Sequence, residues 1–175
     1  MIFEKYFVPD KMFDTYEELT PEFLLERGIR YVFSDIDNTL ATYDDIYPPE
    51  KLLRWLEMMK KAGITVSFVS NNNEKRVKLF NSRLGYPAYH RAAKPMISKL
   101  REAMKAAGAE KDNSCLFGDQ LLTDAAAGKR AGLYVIIVPP IKDKKSWFFR
   151  FKRWLEKPYL KKYHNKTRGV SNGKK

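Results

Sequence analysis

The run Phe33-Ser34-Asp35-Ile36-Asp37-Asn38-Thr39-Leu40 constrains this chain more than any other stretch of it. The apolar residues Tyr31, Val32 and Phe33 lead into two carboxylates spaced two residues apart. As a buried strand, the run places Asp35 and Asp37 at its carboxyl end, the usual ligand crevice of an open α/β sheet. Carboxylates fixed there beside a metal can attack phosphorus and also move a proton. An Asp-x-Asp-x-Thr pattern is short, however, and gains its weight from the polar clusters farther along the chain.

Those clusters come in order. Val66-Ser67-Phe68-Val69 has strand character and ends in Ser70-Asn71-Asn72-Asn73, a group of small hydrogen-bonding residues. Lys94-Pro95 comes next, with Pro95 expected as the first residue of a helix over Met96 to Ala107. Ser114-Cys115-Leu116-Phe117 then gives a short strand closing in Gly118-Asp119-Gln120-Leu121-Leu122-Thr123-Asp124. Each polar group comes after an apolar run or opens a helix. Right-handed crossovers in a parallel sheet bring such strand ends to one edge.

The remaining pattern agrees. Helices are expected over Phe23–Arg27, Glu50–Ala62, Glu74–Leu84 and Ala125–Ala131, with strands at Tyr31–Ser34, Ile64–Val69 and Tyr134–Val138 and a short segment near Tyr86–Tyr89. Strands alternating with helices predict a Rossmann-like, doubly wound parallel sheet of α/β class. The expected organisation is one domain over 1–141, a basic aromatic segment over 142–166 and a disordered end over 167–175.

With these four motifs in this order, the chain resembles the HAD superfamily of phosphatases. The closer resemblance is to subclass IIIA, the YqeG-type proteins, a group that includes the mitochondrial phosphatidylglycerophosphatases. It is carried by Phe33 to Leu40, by Ser70-Asn71-Asn72-Asn73-Glu74-Lys75-Arg76-Val77, by Arg91-Ala92-Ala93-Lys94-Pro95 and by Gly118 to Asp124, and it spans about Pro9 to Lys162. The resemblance implies a phosphomonoester hydrolase in which Asp35 is the nucleophile and Asp37 the general acid and base. It further implies Lys94 as the charge stabiliser, with Ser70 and Asn71 as phosphoryl hydrogen-bond donors. Mg²⁺ is the implied cofactor, held by Asp35, the backbone carbonyl of Asp37, Asp119 and, as a further or indirect ligand, Asp124. Many HAD enzymes insert a folded cap after the first or second motif. Here the 33 residues from Asp37 to Ser70 and the 24 from Ser70 to Lys94 leave no room for one, so an open site is expected.

Each residue also has a plainer reading. Asp37 or Asn38 can shape a turn. Asp119 and Asp124 can form an Asx-turn and a helix cap before Ala125, Ser70 to Asn73 can cap the Glu74 helix, and Lys94 can be a solvated loop lysine. His90 and His164 lie outside the motifs and receive no role.

Charge is concentrated at one end. The formal net charge is +12, and residues 142–175 hold 13 Lys and Arg against two acids, leaving +1 for the rest. Such asymmetry points the tail towards a polyanion or an anionic surface. Over Ser146–Glu156, Trp147, Phe148, Phe151, Trp154 and Leu155 share one helical face, with Lys152, Arg153, Glu156 and Lys157 opposite. That pattern suits a membrane interface, and equally a helix packed on its own domain. A lone cysteine, Cys115, suits a reducing compartment. With no secretory signal pattern either, the expected location is cytoplasmic, with peripheral attachment to the inner face of the membrane as an option that the tail leaves open.

The expected partners are therefore a phosphorylated substrate and an anionic membrane surface, with a homo-oligomer as a further option. Phosphatidylglycerophosphate is the leading substrate. The alternatives are soluble sugar or nucleotide phosphates or nucleic-acid ends, and a non-catalytic RNA- or ribosome-binding role on the same scaffold. Nucleic acid ranks lower because no base-reading module is evident.

Overall fold

In the computed structural model, which describes residues 5–142 and 154–165, the apolar runs become strands of one parallel sheet. The strands are β1 (Lys11–Met12), β2 (Tyr31–Ser34), β3 (Thr65–Val69), β4 (Ala88–Tyr89), β5 (Ser114–Gly118) and β6 (Tyr134–Ile137). They lie in the order β1-β6-β5-β2-β3-β4, and every pairing is parallel. From β2 the chain moves outward through β3 to β4, then returns to the other side of β2 to lay down β5 and β6. The winding therefore reverses between β2 and β5, where an open α/β sheet has its crevice. Pairing there continues past the strand ends, since the Asp35 N–H donates to the Phe117 carbonyl at 2.8 Å.

Alternating side chains give the sheet two buried faces. Val32, Val66, Phe68, Cys115, Phe117 and Ile136 pack on one side against α2 (Glu50–Lys61) and α3 (Glu74–Asn81), with α1 (Pro21–Leu25) at the edge. Phe33, Val69 and Leu116 pack on the other against α4 (Ser98–Ala107) and α5 (Ala126–Ala131). Continuous burial of β2, β3 and β5 is what a doubly covered parallel sheet requires. One helix and one strand fill each interval between the first three motifs, so no cap domain is inserted.

Within the domain the structure departs from the sequence expectation at several points, α1 among them, which runs Pro21–Leu25 instead of Phe23–Arg27. The two-residue strand β1 falls in the lead-in and is too short to show a period. Helix α3 stops at Asn81 instead of Leu84, because the Asn81 amide turns back to bond both the N–H and the carbonyl of Tyr86. Pro95 does not open a helix: the Lys94-Pro95 peptide is cis, an Ala93–Met96 turn fills the interval, and α4 begins at Ser98. Before α5 lies a π-turn over Leu121–Ala125, so helical structure starts four residues ahead of the expected Ala125.

The tail is the largest difference. Most of the expected helix over Ser146–Glu156 lies outside the described residues, but its last three positions belong to a helix, α6, over 154–165. Trp154, expected on the apolar face, is 61% exposed, whereas Glu156, expected on the polar face, is buried. The face that packs inward is Glu156, Tyr159, Leu160 and Tyr163, at i, i+3, i+4 and i+7 spacing. Tyr159 and Leu160 meet Leu121, Ala125, Val135 and Ile137, and the Tyr163 hydroxyl accepts from the Met12 N–H at 2.9 Å. Among the described residues no helix is long and apolar enough to cross a membrane.

Candidate active site

Beyond the carboxyl ends of β2, β3 and β5 lies an open cleft of about 230 Å³, with Asp35, Asp37, Ser70, Asn71, Lys94 and Asp124 among its lining residues. Its centre is Lys94, whose Nζ donates to Asp35 Oδ1 at 2.8 Å and lies 2.7 Å from Asp124 Oδ1. All three side chains are buried. Burial by itself pulls the lysine down, but Asp124 and Asp35 outweigh it and hold Lys94 above its ordinary pKa. Burial also pushes Asp35 up, to about 7, aided by Asp124 and Asp37 and opposed by Lys94. Tyr43, on the cleft wall, is raised by burial and by the four carboxylates of Asp35, Asp119, Asp37 and Asp124.

Three successive asparagines after β3 do three different things. Asn71 spans the main chain of Lys94, accepting from its N–H at 2.7 Å and donating to its carbonyl at 3.0 Å. Asn72 donates to Asp37 Oδ2 at 3.0 Å. Asn73 caps α3, accepting from the Arg76 N–H at 2.9 Å. The Ser70 hydroxyl accepts from the Asn72 N–H, leaving its own proton to donate. The plain reading, that this cluster only caps a helix, therefore holds for Asn73 alone.

Arg76 enters the sequence reading only as part of a motif, yet it organises the second carboxylate. Its Nε and Nη2 donate to Asp37 Oδ1 at 3.1 and 2.9 Å, and its other N–H groups reach the Thr42 and Asp45 carbonyls. It thus ties Asp37 to the loop after β2. That loop is itself braced by Asp45, whose Oδ2 accepts from both the N–H and the hydroxyl of Thr42 at 2.7 Å. Arg76 sits one helical turn after Asn73, a spacing that points it back at the motif and is the available sequence signal.

Asp35, Asp119 and Asp124 each offer an oxygen within 4.8 Å of the others, all buried. Asp124 Oδ1 faces the Lys94 ammonium at 2.7 Å and, among the described residues, accepts from no other donor. Gly118 makes room for this carboxylate: a Cβ there would come within 2.6 Å of Asp124 Oδ2. Asp124 is not a helix cap; its Oδ2 accepts from the Gln120 N–H at 3.1 Å from inside the π-turn. Four buried carboxylates gather here with the cations of Lys94 and Arg76, so the site carries surplus negative charge. An all-oxygen, surplus-negative donor set fits a hard divalent cation.

Every candidate catalytic, phosphate-binding or metal residue is at this edge: Asp35, Asp37, Ser70, Asn71, Lys94 and Asp124 line the cleft, and Asp119 stands beside Asp35 and Asp124, with Thr39 Oγ1 at 3.5 Å. Asn72, Arg76, Tyr43 and Glu156 are the residues to which sequence reasoning gives no functional part.

A family model for haloacid dehalogenase-like hydrolases matches residues 5–132. The chain is 40% identical over 157 residues to the "Probable phosphatase YqeG" of Bacillus subtilis, covering 90% of this chain and 91% of that one. Among solved structures, an uncharacterised Listeria monocytogenes protein aligns with a TM-score of 0.55 at 16% identity, covering 67% of this chain and 85% of that one. The cobalt-bound deoxy-D-mannose-octulosonate 8-phosphate phosphatase of Haemophilus influenzae aligns at 0.51 and 18% identity, covering 81% and 92%. These two likenesses concern the fold. The match over residues 5–132, together with the extended identity to the Bacillus relative, establishes that the chain belongs to the haloacid dehalogenase-like hydrolases.

Proposed function

We propose that this chain is a Mg²⁺-dependent phosphomonoesterase of subclass IIIA that works through an aspartyl-phosphate. The observation that carries the reading is the Asp35–Lys94–Asp124 cluster in the cleft, with Asp37 held beside it. The Bacillus relative is a probable phosphatase, and the Haemophilus fold neighbour is a phosphatase with cobalt bound.

Asp35 attacks phosphorus in line, forming the acyl phosphate as the bond to the leaving oxygen breaks. Asp37 delivers a proton to that oxygen, then takes one from the water that attacks the same phosphorus and frees Asp35. Arg76 and Asn72 fix the orientation of Asp37 throughout. Lys94 neutralises phosphoryl charge, and the Ser70 hydroxyl and the remaining amide N–H of Asn71 donate to the phosphoryl oxygens. Asp35, Asp119, the Asp37 carbonyl and Asp124 would hold Mg²⁺. The bound cation supplies the positive charge that lets a carboxylate approach a phosphate dianion.

The cleft is smaller than the 300–1,000 Å³ usual for sites that engulf a ligand. It accepts a phosphoryl group and leaves the rest of the substrate outside. This favours a large substrate, and phosphatidylglycerophosphate is the candidate that fits an open site and a basic tail. The test is Mg²⁺-dependent phosphate release from that lipid in mixed micelles, beside a panel of soluble phosphomonoesters. Preference for the lipid supports the full reading; activity on soluble esters alone removes the lipid and keeps the mechanism. Asp35→Asn should lower phosphate release by on the order of 10⁴ or more without lowering the melting temperature. Turnover near wild type would remove Asp35 as the nucleophile.

A further inference from the structure

Residues 142–175 carry only two acids, and Glu156 is driven 1% exposed into the domain. Its Oε1 accepts from the Leu121 N–H at 2.9 Å and from the Leu122 N–H at 3.4 Å, bridging 35 residues of sequence. These N–H groups open the π-turn, where a helical segment has no partners of its own for its first amides. A carboxylate is the strongest acceptor for them, and it complements the positive end of the turn.

The turn so held follows one carboxylate of the candidate metal site and contains another. Asp119 precedes it by two residues. Asp124 lies within it, fixed by bonds from its own N–H to the Gln120 carbonyl at 2.9 Å and from the Gln120 N–H to its side chain. Leu121 is anchored a second time, since its side chain packs with Ala125 against Tyr159 and Leu160 of α6. One helix therefore grips the start of this turn through both its backbone and its side chain.

We propose that Glu156 is a positioning residue for the metal site: by holding the first amides of the π-turn, it sets where Asp119 and Asp124 stand relative to Asp35. The tail helix is then a working part of the active site. This rests on the reading of Asp119 and Asp124 as Mg²⁺ ligands.

The experiment uses the full chain and its Glu156→Ala and Glu156→Gln variants. Mg²⁺ affinity is measured calorimetrically, amide exchange is followed at Leu121 and Leu122, and the metal-free melt is recorded for each protein. Glu156→Ala should weaken Mg²⁺ about tenfold or more and expose both amides to exchange. Glu156→Gln keeps an acceptor oxygen of the same reach and should fall between Ala and wild type. Mg²⁺ affinity within about twofold of wild type in the folded variants overturns the proposal, even if the melt is lowered, because Glu156 would then only stabilise the fold. If the Ala variant does not fold, the same criterion applies to Gln. A wild-type chain that takes up no Mg²⁺ overturns the metal reading and this proposal with it; uptake unchanged by either variant overturns the role of Glu156 alone.

Discussion

At the scale of single residues, the site depends on which atom of each polar side chain is committed elsewhere. Asn71 spends most of its amide on the main chain of Lys94, so it holds the lysine as much as it offers a donor to phosphate. Asp37 Oδ1 is taken by Arg76, which leaves Oδ2, shared with Asn72, to serve the substrate. If Arg76 aims the proton donor, Arg76→Lys should cost more with a poor leaving group than with a good one. A lysine has one point charge and no planar fork. The loss in kcat on an alkyl phosphate should exceed that on an aryl phosphate by roughly tenfold or more. Equal losses on both would reduce Arg76 to a loop brace.

Asp35 supplies a pH signature. Its value in the fold is about 7, above 3.8 for the free side chain, so the metal-free fold binds a proton that the unfolded chain releases. The stability linked to that proton is fully present below about pH 4 and is lost as pH rises through about 7. In chelator, the melting temperature should therefore fall from pH 5 to pH 8, and Asp35→Asn should flatten the fall. A slope unchanged by that substitution would mean that Asp35 carries no such proton.

At the scale of elements, two glycines separate catalysis from packing. Gly118 ends β5 against the Asp124 carboxylate, whereas Gly128 on α5 lies against β6 and β5, where a Cβ would come within 2.6 Å of Val135 Cγ2 and 3.0 Å of Leu116 Cβ. Gly118→Ala should displace Asp124 and weaken Mg²⁺ by about tenfold or more. Gly128→Ala should leave Mg²⁺ affinity alone and cost about 1–3 kcal/mol of stability by overpacking. Calorimetric titration and chemical denaturation together distinguish them; the reverse assignment of effects would contradict both.

At the scale of the molecule, the helix α6 completes the packing of the domain. Tyr163 is buried, and Tyr159 and Leu160 are partly so, against a patch that α6 closes. At about 1.5–3 kcal/mol for each fully buried apolar side chain, removing α6 should cost roughly 4 kcal/mol. A chain ending at Ile141 is thus expected to melt well below the full protein, and a melt within about a degree of it would deny α6 that role. If the positive excess of residues 142–175 serves an anionic surface, binding of the full chain to anionic vesicles should weaken steeply with salt, and binding that is absent or indifferent to salt would remove that role.

Sequence alone determined the alternation of strands and helices and the placement of Asp35, Asp37, Ser70 and Asp119 just past strand ends, whereas Lys94, expected where a helix opens, stands in the turn ahead of α4. These rest on local information: apolar runs must be buried, and the sheet is doubly wound, so polar residues ending those runs meet at one edge. It also bounded the intervals where a cap would sit. What it did not contain was the choice of partners across the chain. Arg76 finds Asp37 39 residues away and Glu156 finds Leu121 35 residues away, pairings set by how helices settle on a finished sheet. The inner face of α6 escapes the sequence pattern for the same reason. A glutamate scores as surface by composition, and the uncapped amides of a distant turn, which no local pattern announces, help make its burial favourable.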